Sequence, residues 1–529
     1  MSGAQAASAG PLPPPAVPSE HVPARLWIAI YSAIFGVFMA VLDTQITNAS
    51  LANILGSLSA SQQEGSWVTT SYLAAEVVMI PLTTFLLTVF GMRAFILGNM
   101  VLFLVFSTMC GYAWNLPSMV VFRTLQGLAG GALIPVAMTL LITRLPPAKR
   151  PVAFAWLMLS STLAPTLGPT LGGMLTDAYG WPSIFFINWL PGIVMFAGVA
   201  YGLDPEPSRL SQLAKADWPS IIAMVVGLGA LVVFLEQGER EDWFASSLIR
   251  WMATLAALGL GAWIAILLAR RNPFINLRLF GRLNFGVSSL VGAAAGMGLY
   301  GSTYVLPLFL ANIAGYSPRQ IGGVIMWMGL PQIIMTPLAA KLAAKVDNRV
   351  LCSIGLAFFA TSCFLNTTMS ADTREAELIL AQVCRALGQP LIIITLSNFA
   401  VHRIEAASLS SASSLYNMSR VLGGAVGTAI LATMVTQREH LHSLRIGDAV
   451  SLGSGATSAR IQELTAFYLG QHGDRVTAAN QALATLDGLV RRESYVMAYN
   501  DCFFLLGCIL LISIAVICMA DRVVAVGKK

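Results

Sequence analysis

Long apolar runs separated by short polar connectors dominate the chain. The first seven fall near residues 26–52, 66–88, 94–113, 117–142, 151–175, 183–203 and 218–236. Seven more follow near 248–269, 285–313, 320–343, 350–369, 375–399, 409–435 and 497–520. Each is close to or above the roughly 20 apolar residues that a helix needs to cross a bilayer. None shows the ten-residue alternation of an outer-membrane barrel. The pattern predicts an all-α polytopic membrane protein with fourteen transmembrane helices.

The polar connectors divide these runs. Residues 1–24, rich in Ala, Pro and Ser and without the basic start and apolar core of a signal peptide, read as a disordered cytoplasmic tail. A first six-helix bundle is expected over 25–204, an inserted helix pair with its linkers over 205–283, and a second bundle over 284–520, with a cytoplasmic tail at 521–529. The second bundle carries a long polar loop, 436–496, of which 458–489 has helical character. With both termini cytoplasmic, eighteen of the 31 basic residues fall on the inner side, among them Arg93, Arg144, Arg270 and Arg349. The short outward connectors and span starts hold only Arg240, Arg250, Arg319 and Arg374, as the positive-inside rule requires.

Composition removes other classes. The chain is 56% hydrophobic and 11% charged, far below the quarter or so of charged residues typical of soluble domains. Its net charge of +6 resides in short loops, where it sets orientation, so nucleic-acid binding is not indicated. The seven cysteines lie in or beside apolar runs without a Cys-x-x-Cys pair and read as small buried hydrophobes, so no metal site is expected. His440 and His442, in the long polar segment, read as solvated. So do Glu236, Glu239, Glu241 and Asp242, where the inserted pair turns.

The two bundles repeat one another. Pro81 to Arg93 aligns without gaps on Pro337 to Arg349, and Arg123-Thr-Leu-Gln-Gly on Arg385-Ala-Leu-Gly-Gln, at offsets of 256 and 262. Duplicated halves are common in transporters.

The chemistry sits in the few polar residues inside apolar runs. A charge at bilayer depth costs at least about 2.5–3.5 kcal/mol on insertion scales, so it protonates, pairs or faces a wet cavity. Asp43 is such a residue and is the leading candidate proton carrier; the alternative is a carboxylate fixed by a structural partner. Thr47 shares its helix face, while Gln45 and Asn48 lie round the cylinder. Glu76, midway along the second run, is a second candidate for proton coupling, or else a structural hydrogen-bonding group. Arg123 in the fourth run, followed by Gln126, Gly127, Gly130 and Gly131, either tunes a nearby carboxylate or staples helices. In the second half Arg385, Arg420 and Asp501 are unusual at their depth, and Gly423, Gly424 and Gly427 offer a close-packed seam. Tyr72, Gln126, Tyr300, Tyr304, Arg385, Gln389 and Asn417 join Gln45, Thr47 and Asn48 as substrate-binding candidates, although Tyr and Trp also anchor helices at interfaces. The fifth run, Ala164 to Gly173, holds two prolines and three glycines and is expected to kink and pack closely across the two halves, as a hinge or seal.

These motifs resemble those of the major facilitator superfamily, specifically the EmrB/QacA-type fourteen-span drug:proton antiporters, over nearly the whole chain. Leu42 to Leu51 is similar to the family's first-helix motif, and Arg123, Gln126 and Gly127 to its fourth-helix motif. Gly168, Pro169, Gly172 and Gly173 match the antiporter motif Gly-Pro-x-x-Gly-Gly, a conformational element. Gly65-Ser-Trp67, Pro146 to Arg150 and Phe185-Phe-Ile-Asn188 resemble the EmrB side of the family, whereas the connector after the second helix departs from the usual charged run. The resemblance implies proton-driven efflux of hydrophobic or amphipathic compounds by alternating access. It also implies no cofactor beyond the proton gradient, and partnership with membrane lipids, a periplasmic adaptor and an outer-membrane channel. A nutrient symporter and a non-transporting sensor or assembly subunit are the rival readings. The first is disfavoured by Gly168-Pro169, the second by the lack of a soluble signalling domain.

Overall fold

The computed structural model describes residues 22–146, 149–214, 216–270, 273, 275–405, 408–450, 454–472 and 474–523. Of the tails expected at 1–24 and 521–529, residues 1–21 and 524–529 lie outside the described residues, and Ala24 already opens α1. The first half contains α1 (Ala24–Ala49), α2 (Leu51–Ser57), α3 (Gln62–Phe90), α4 (Met92–Gly111) and α5 (Leu116–Gly130). It continues through α6 (Leu133–Arg144), α7 (Arg150–Tyr179), α8 (Ser183–Phe186) and α9 (Trp189–Gly202). After the short α10 (Ser211–Ala214) comes the insert, α11 (Trp218–Gln237) and α12 (Ser247–Ala269). The second half is built from α13 (Leu283–Asn312), α14 (Pro318–Ala343), α15 (Asn348–Leu365), α16 (Glu375–Val401), α17 (Leu409–Ala449), α18 (Gly455–His472) and α19 (Arg475–Cys518).

Thirteen helices among the described residues are long and apolar enough to cross a membrane, and the bent α7 makes a fourteenth. The fourth span is α5 followed by α6, interrupted at Gly131 and Ala132, and the sixth is α8 followed by α9. The repeat is visible in three dimensions. Pro81 and Pro337 both lie inside helices, α3 and α14, and Arg93 and Arg349 both open the helix that follows. One end of the bundle carries Arg93, Arg144 and Arg349 and is called here the basic end; the other carries α18 and is called the hairpin end.

The apolar faces close two cores. Ile30, Val37, Met100, Phe103, Leu140 and Val199 pack at the centre of the first half. The second half buries Phe285, Phe309, Phe359, Phe399 and Phe503 in a core that also takes in Met224, Leu228 and Val232 of α11 and Val77, Val78 and Ile80 of α3. The insert therefore shares its packing with both halves. The halves meet along two seams, α3 with α17 and α7 with α14. Near the basic end the first seam is bridged by a hydrogen bond between the Thr84 and Ser414 hydroxyls, 2.7 Å apart.

The long polar segment expected as a loop over 436–496 is mostly continuous helix. At a rise of about 1.5 Å per residue, the 41 residues of α17 and the 44 of α19 are each roughly twice as long as a bilayer's hydrocarbon core is thick, so both project beyond it at the hairpin end. There α18 packs on α19. His442, expected to be solvated, is 6% exposed, and its Nε2 lies 2.9 Å from Asp501 Oδ2, with Arg438 Nε 3.5 Å from the same oxygen. The difference arises because α17 does not stop at the membrane surface but carries His442 onto α19. Glu236 also departs from the expectation: it lies half-buried in the last turn of α11, before the turn begins.

Candidate functional site

Inside the first half, Asp43 of α1 is 1% exposed and Arg123 of α5 is fully buried. Arg123 Nη1 donates to Asp43 Oδ2 at 2.8 Å and to Gln126 Oε1 at 2.8 Å. Gln126 Nε2 donates to Asp43 Oδ1 at 3.1 Å, and Asn188 Nδ2 donates to the same oxygen at 2.5 Å. Asn188 also donates to Ser107 Oγ, which donates in turn to the Phe185 carbonyl at 2.8 Å. The carboxylate therefore has three side-chain donors, two from α5 and one from the start of α9. An ion pair this deep survives only with such additional bonds, because desolvation of two charges costs several kcal/mol per ion.

Glycines let the helices approach closely enough to build this cluster. Cβ atoms added at Gly127 and Gly131 of α5 and the break that follows it would meet the backbone of α3 at Tyr72 and Glu76, so only hydrogen fits there. That approach lays the Tyr72 ring beneath the guanidinium, 4.3 Å from ring centroid to Cζ, a favourable cation–π distance. Arg123 Nη2 remains buried without a hydrogen-bond partner. Thr47 is also buried, with its hydroxyl donating to the Asp43 carbonyl at 2.7 Å. Asn48 is exposed and accepts from the Thr69 hydroxyl at 3.0 Å, across to α3.

Glu76 lies one turn beyond Tyr72 on α3. Among the described residues it makes no hydrogen bond or ion pair. Its carboxyl lies within electrostatic range of Arg123 in its own half and of Arg420 on α17 in the other. Arg420 Nη2 donates to Asn417 Oδ1 at 2.8 Å, and Arg420 is a hydrogen-bond partner of the Tyr300 hydroxyl. Glu76, Arg123, Arg420, Asn417 and Tyr300 thus converge between the halves. The remaining candidates sit elsewhere. Gln389 accepts from Gln332 Nε2 at 3.0 Å between α16 and α14. Tyr304, one turn further along α13, faces Glu236, Glu239 and Arg240 near the hairpin end.

Arg385 is the repeat counterpart of Arg123, and among the described residues no carboxylate bonds to it. Its Nη2 donates to the Thr303 hydroxyl at 2.7 Å and the Leu299 carbonyl at 3.2 Å, and its Cζ lies 5.6 Å from the Phe359 ring. Thr303 takes the place that Asp43 holds in the first half. Among the described residues the fully buried Asp–Arg pair is the one in the first half.

The antiporter motif lies on α7 against Asp43's own helix. A Cβ at Gly168 would strike the Gln45 side chain, and one at Gly172 would come within 3.1 Å of the Ile46 carbonyl. Gly173 faces open space. The two straight parts of α7, Val152–Pro165 and Thr170–Tyr179, are inclined at 51°, with Pro169 in the break. The kink expected here is present; Gly168 and Gly172 close on α1, and α7 also packs across the halves on α14, where a Cβ at Gly322 would meet the Thr170 hydroxyl. Asn188 was not a candidate from sequence; an uncharged residue at a helix start carries no depth signal, and only its place in Phe185-Phe-Ile-Asn188 marked it.

Among the described residues no group of three or more His, Cys, Asp or Glu is placed to hold a metal ion. The sequence model of the Major Facilitator Superfamily matches residues 33–428. The chain is 31% identical to the colistin resistance protein EmrB of Acinetobacter baumannii over 510 residues, 96% of this chain and 98% of that protein. It is 31% identical to the fatty acid resistance protein FarB of Neisseria gonorrhoeae, covering 92% of this chain and 94% of that one. With the multidrug export protein EmrB of Escherichia coli K12 it shares 29% over 94% of this chain and 96% of its length. The fold is similar to the crystal structure of the human organic anion transporter MFSD10, with a TM-score of 0.61 at 11% identity, covering 94% of this chain and all of that one. With these matches over almost its whole length, the chain belongs to the Major Facilitator Superfamily and is an EmrB-like transporter of it.

Proposed function

We propose that this transporter exports hydrophobic or amphipathic compounds in exchange for protons, with Asp43 as the proton carrier. The observation that carries the reading is the buried Asp43–Arg123 pair beside the unpaired Glu76. Protonating Asp43 removes the charge that Arg123 neutralises. The guanidinium, with Nη2 already unsatisfied, then turns to the nearest other carboxylate, Glu76, one helix away on α3. This transfer changes the packing of α1, α3 and α5 together and gives the two conformations different proton affinities. Substrate bound between the halves biases the opposite conformation, as linkage demands of an exchanger.

The basic residues at one end support a cytoplasmic face there, with both termini on that side of a bacterial inner membrane. The hairpin of α17, α18 and α19 then lies outside the bilayer, where a periplasmic adaptor leading to an outer-membrane channel would meet it. The family relatives named for resistance to colistin and fatty acids support amphipathic substrates.

The test is efflux in proteoliposomes under an imposed pH gradient. Asp43→Asn should insert normally and lose gradient-driven export. Export by that variant at the wild-type rate would remove Asp43 from the role.

A further inference from the structure

The α3–α17 seam is bridged at both ends, in two different ways. At the basic end the Thr84 and Ser414 hydroxyls meet directly. At the hairpin end the bridge runs through the insert, along the last turn of α11 and the connector 238–246 that leads to α12. Toward α3, the Ser66 hydroxyl donates to Gln237 Oε1 at 3.0 Å, and Gln237 Nε2 donates to Thr70 Oγ1 at 2.9 Å. All three side chains are buried, and α11 packs more broadly on α3 than on α17. Toward α17, Trp243 Nε1 donates at 3.0 Å to the Thr433 hydroxyl, which gives its own proton to the Ala429 carbonyl of the same helix. The Thr436 hydroxyl donates to Glu239 Oε1 at 2.7 Å. Here Trp243, Glu239 and Thr433 are only partly buried and Thr436 is exposed, so water can replace either bond when the groups part.

The connector is also strained. Asp242 and Trp243 both have a φ of 51°, left-handed backbone that aspartate tolerates and a bulky aromatic residue rarely adopts. Trp243 is fixed there from several sides. Its ring stands edge-on to Phe234, with centroids 5.2 Å apart, and lies over Gly238, where a Cβ would strike it. Its N–H donates to the Gly238 carbonyl at 2.7 Å, and its indole is held by Thr433. Such a conformation persists only while its surroundings over-determine it, so losing the α17 partner frees the turn to relax.

We propose that residues 238–246 are a latch on the hairpin end of this seam: the insert stays with α3, and the end opens by releasing Trp243 from Thr433 and Glu239 from Thr436. The proposal rests on the reading that the two halves alternate between conformations, which requires their contacts at one end to part. Parting on the α3 side instead would strand the buried Gln237, Ser66 and Thr70 without partners and uncover the packing of Met224, Leu228 and Val232 against Val77 and Val78. Release on the α17 side exposes groups that are already partly wet and relieves the backbone at Trp243.

The test is pulsed EPR in nanodiscs, in acidic and in alkaline buffer, with spin labels carried pairwise on genetically encoded p-acetylphenylalanine at the exposed positions Asn53, Ser247 and Gln437. Two populations are expected for 53–437, which spans the halves, and for 247–437, which spans the latch, with their long-distance fractions changing together. The 53–247 distance should stay single. Trp243→Phe, which keeps the ring and removes the donor, and Thr433→Val should each raise the long-distance fraction several-fold, while Thr433→Ser, which keeps the acceptor, should match wild type. The wild-type distances decide the direction of release without any change in the turn. A split 53–247 distance with a fixed 247–437 distance, or Trp243→Phe and Thr433→Val populations equal to wild type, would overturn the latch alone. A single 53–437 distance in both buffers would overturn it together with the reading that the halves alternate.

Discussion

At the scale of single residues, the first half holds a buried Asp–Arg cluster whose counterpart around Arg385 bonds to no carboxylate among the described residues. Asp43, Arg123, Gln126 and Asn188 form one unit, so their contributions should be non-additive. Asn188→Ala removes a donor to a buried carboxylate and is expected to cost about 1–3 kcal/mol of stability; the same change in an Asp43→Asn background should cost much less, as thermal unfolding of the four proteins would show. Arg123→Ala should impair proton coupling more than abundance, and disappearance of the protein would instead favour a purely structural staple. Thr303→Val leaves Arg385 with the Leu299 carbonyl alone and should lower the apparent melting temperature without altering the pH dependence of transport. Asp43, Glu76 and Arg123 were legible in the sequence because a charge inside an apolar run is costly. Asn188 was not, since an amide at a helix start looks like any other polar residue. That Arg385 meets Thr303 and not an acid was equally hidden, because sequence repetition aligned the arginines and not their partners.

At the scale of helices, the arrangement depends on a few close approaches and on capping at the basic end. Gly131→Val would push α5 from the α3 backbone at Glu76, and should reduce folded protein more than the same change at Gly173, which faces open space. Asp347 caps α15 at Arg349 N and draws in Arg349 and Arg522. Burial opposes its ionisation, but the hydrogen bonds and charge of Arg349 outweigh this and hold the carboxyl below the usual carboxylate range. A lowered value means that the capped state gains stability above the unfolded value of about 3.9 and loses it as the pH falls through the folded one. Thermal unfolding below about pH 4 should therefore be less acid-sensitive in Asp347→Asn, which starts from a lower stability. The number and order of spans were readable from hydropathy, as was the break in α7 from its prolines. The continuation of α17 and α19 beyond the bilayer was not. A hydropathy pattern reports where a helix leaves the apolar phase, not where its hydrogen-bonded ladder ends, and so His442 appeared to lie in a solvated loop.

At the scale of the whole molecule, the insert ties the two halves together along one side. Two bundles and an inserted pair followed from the Pro81–Pro337 and Arg123–Arg385 repeats. Which seam the insert covers did not, because it depends on side-chain contacts such as Gln237 with Ser66 and Thr70 that no periodicity records. Asp43 is clamped by Arg123 in the conformation described here. In the proposed exchange the clamp opens when the substrate-favoured state gives way to the proton-favoured one. The direct test is proton release on binding a transported compound, measured with a pH indicator in weakly buffered detergent solution for wild type and Asp43→Asn. The account predicts that wild type releases protons on binding and that Asp43→Asn binds without release. Equal release from both, or none from a wild type that binds, would contradict it.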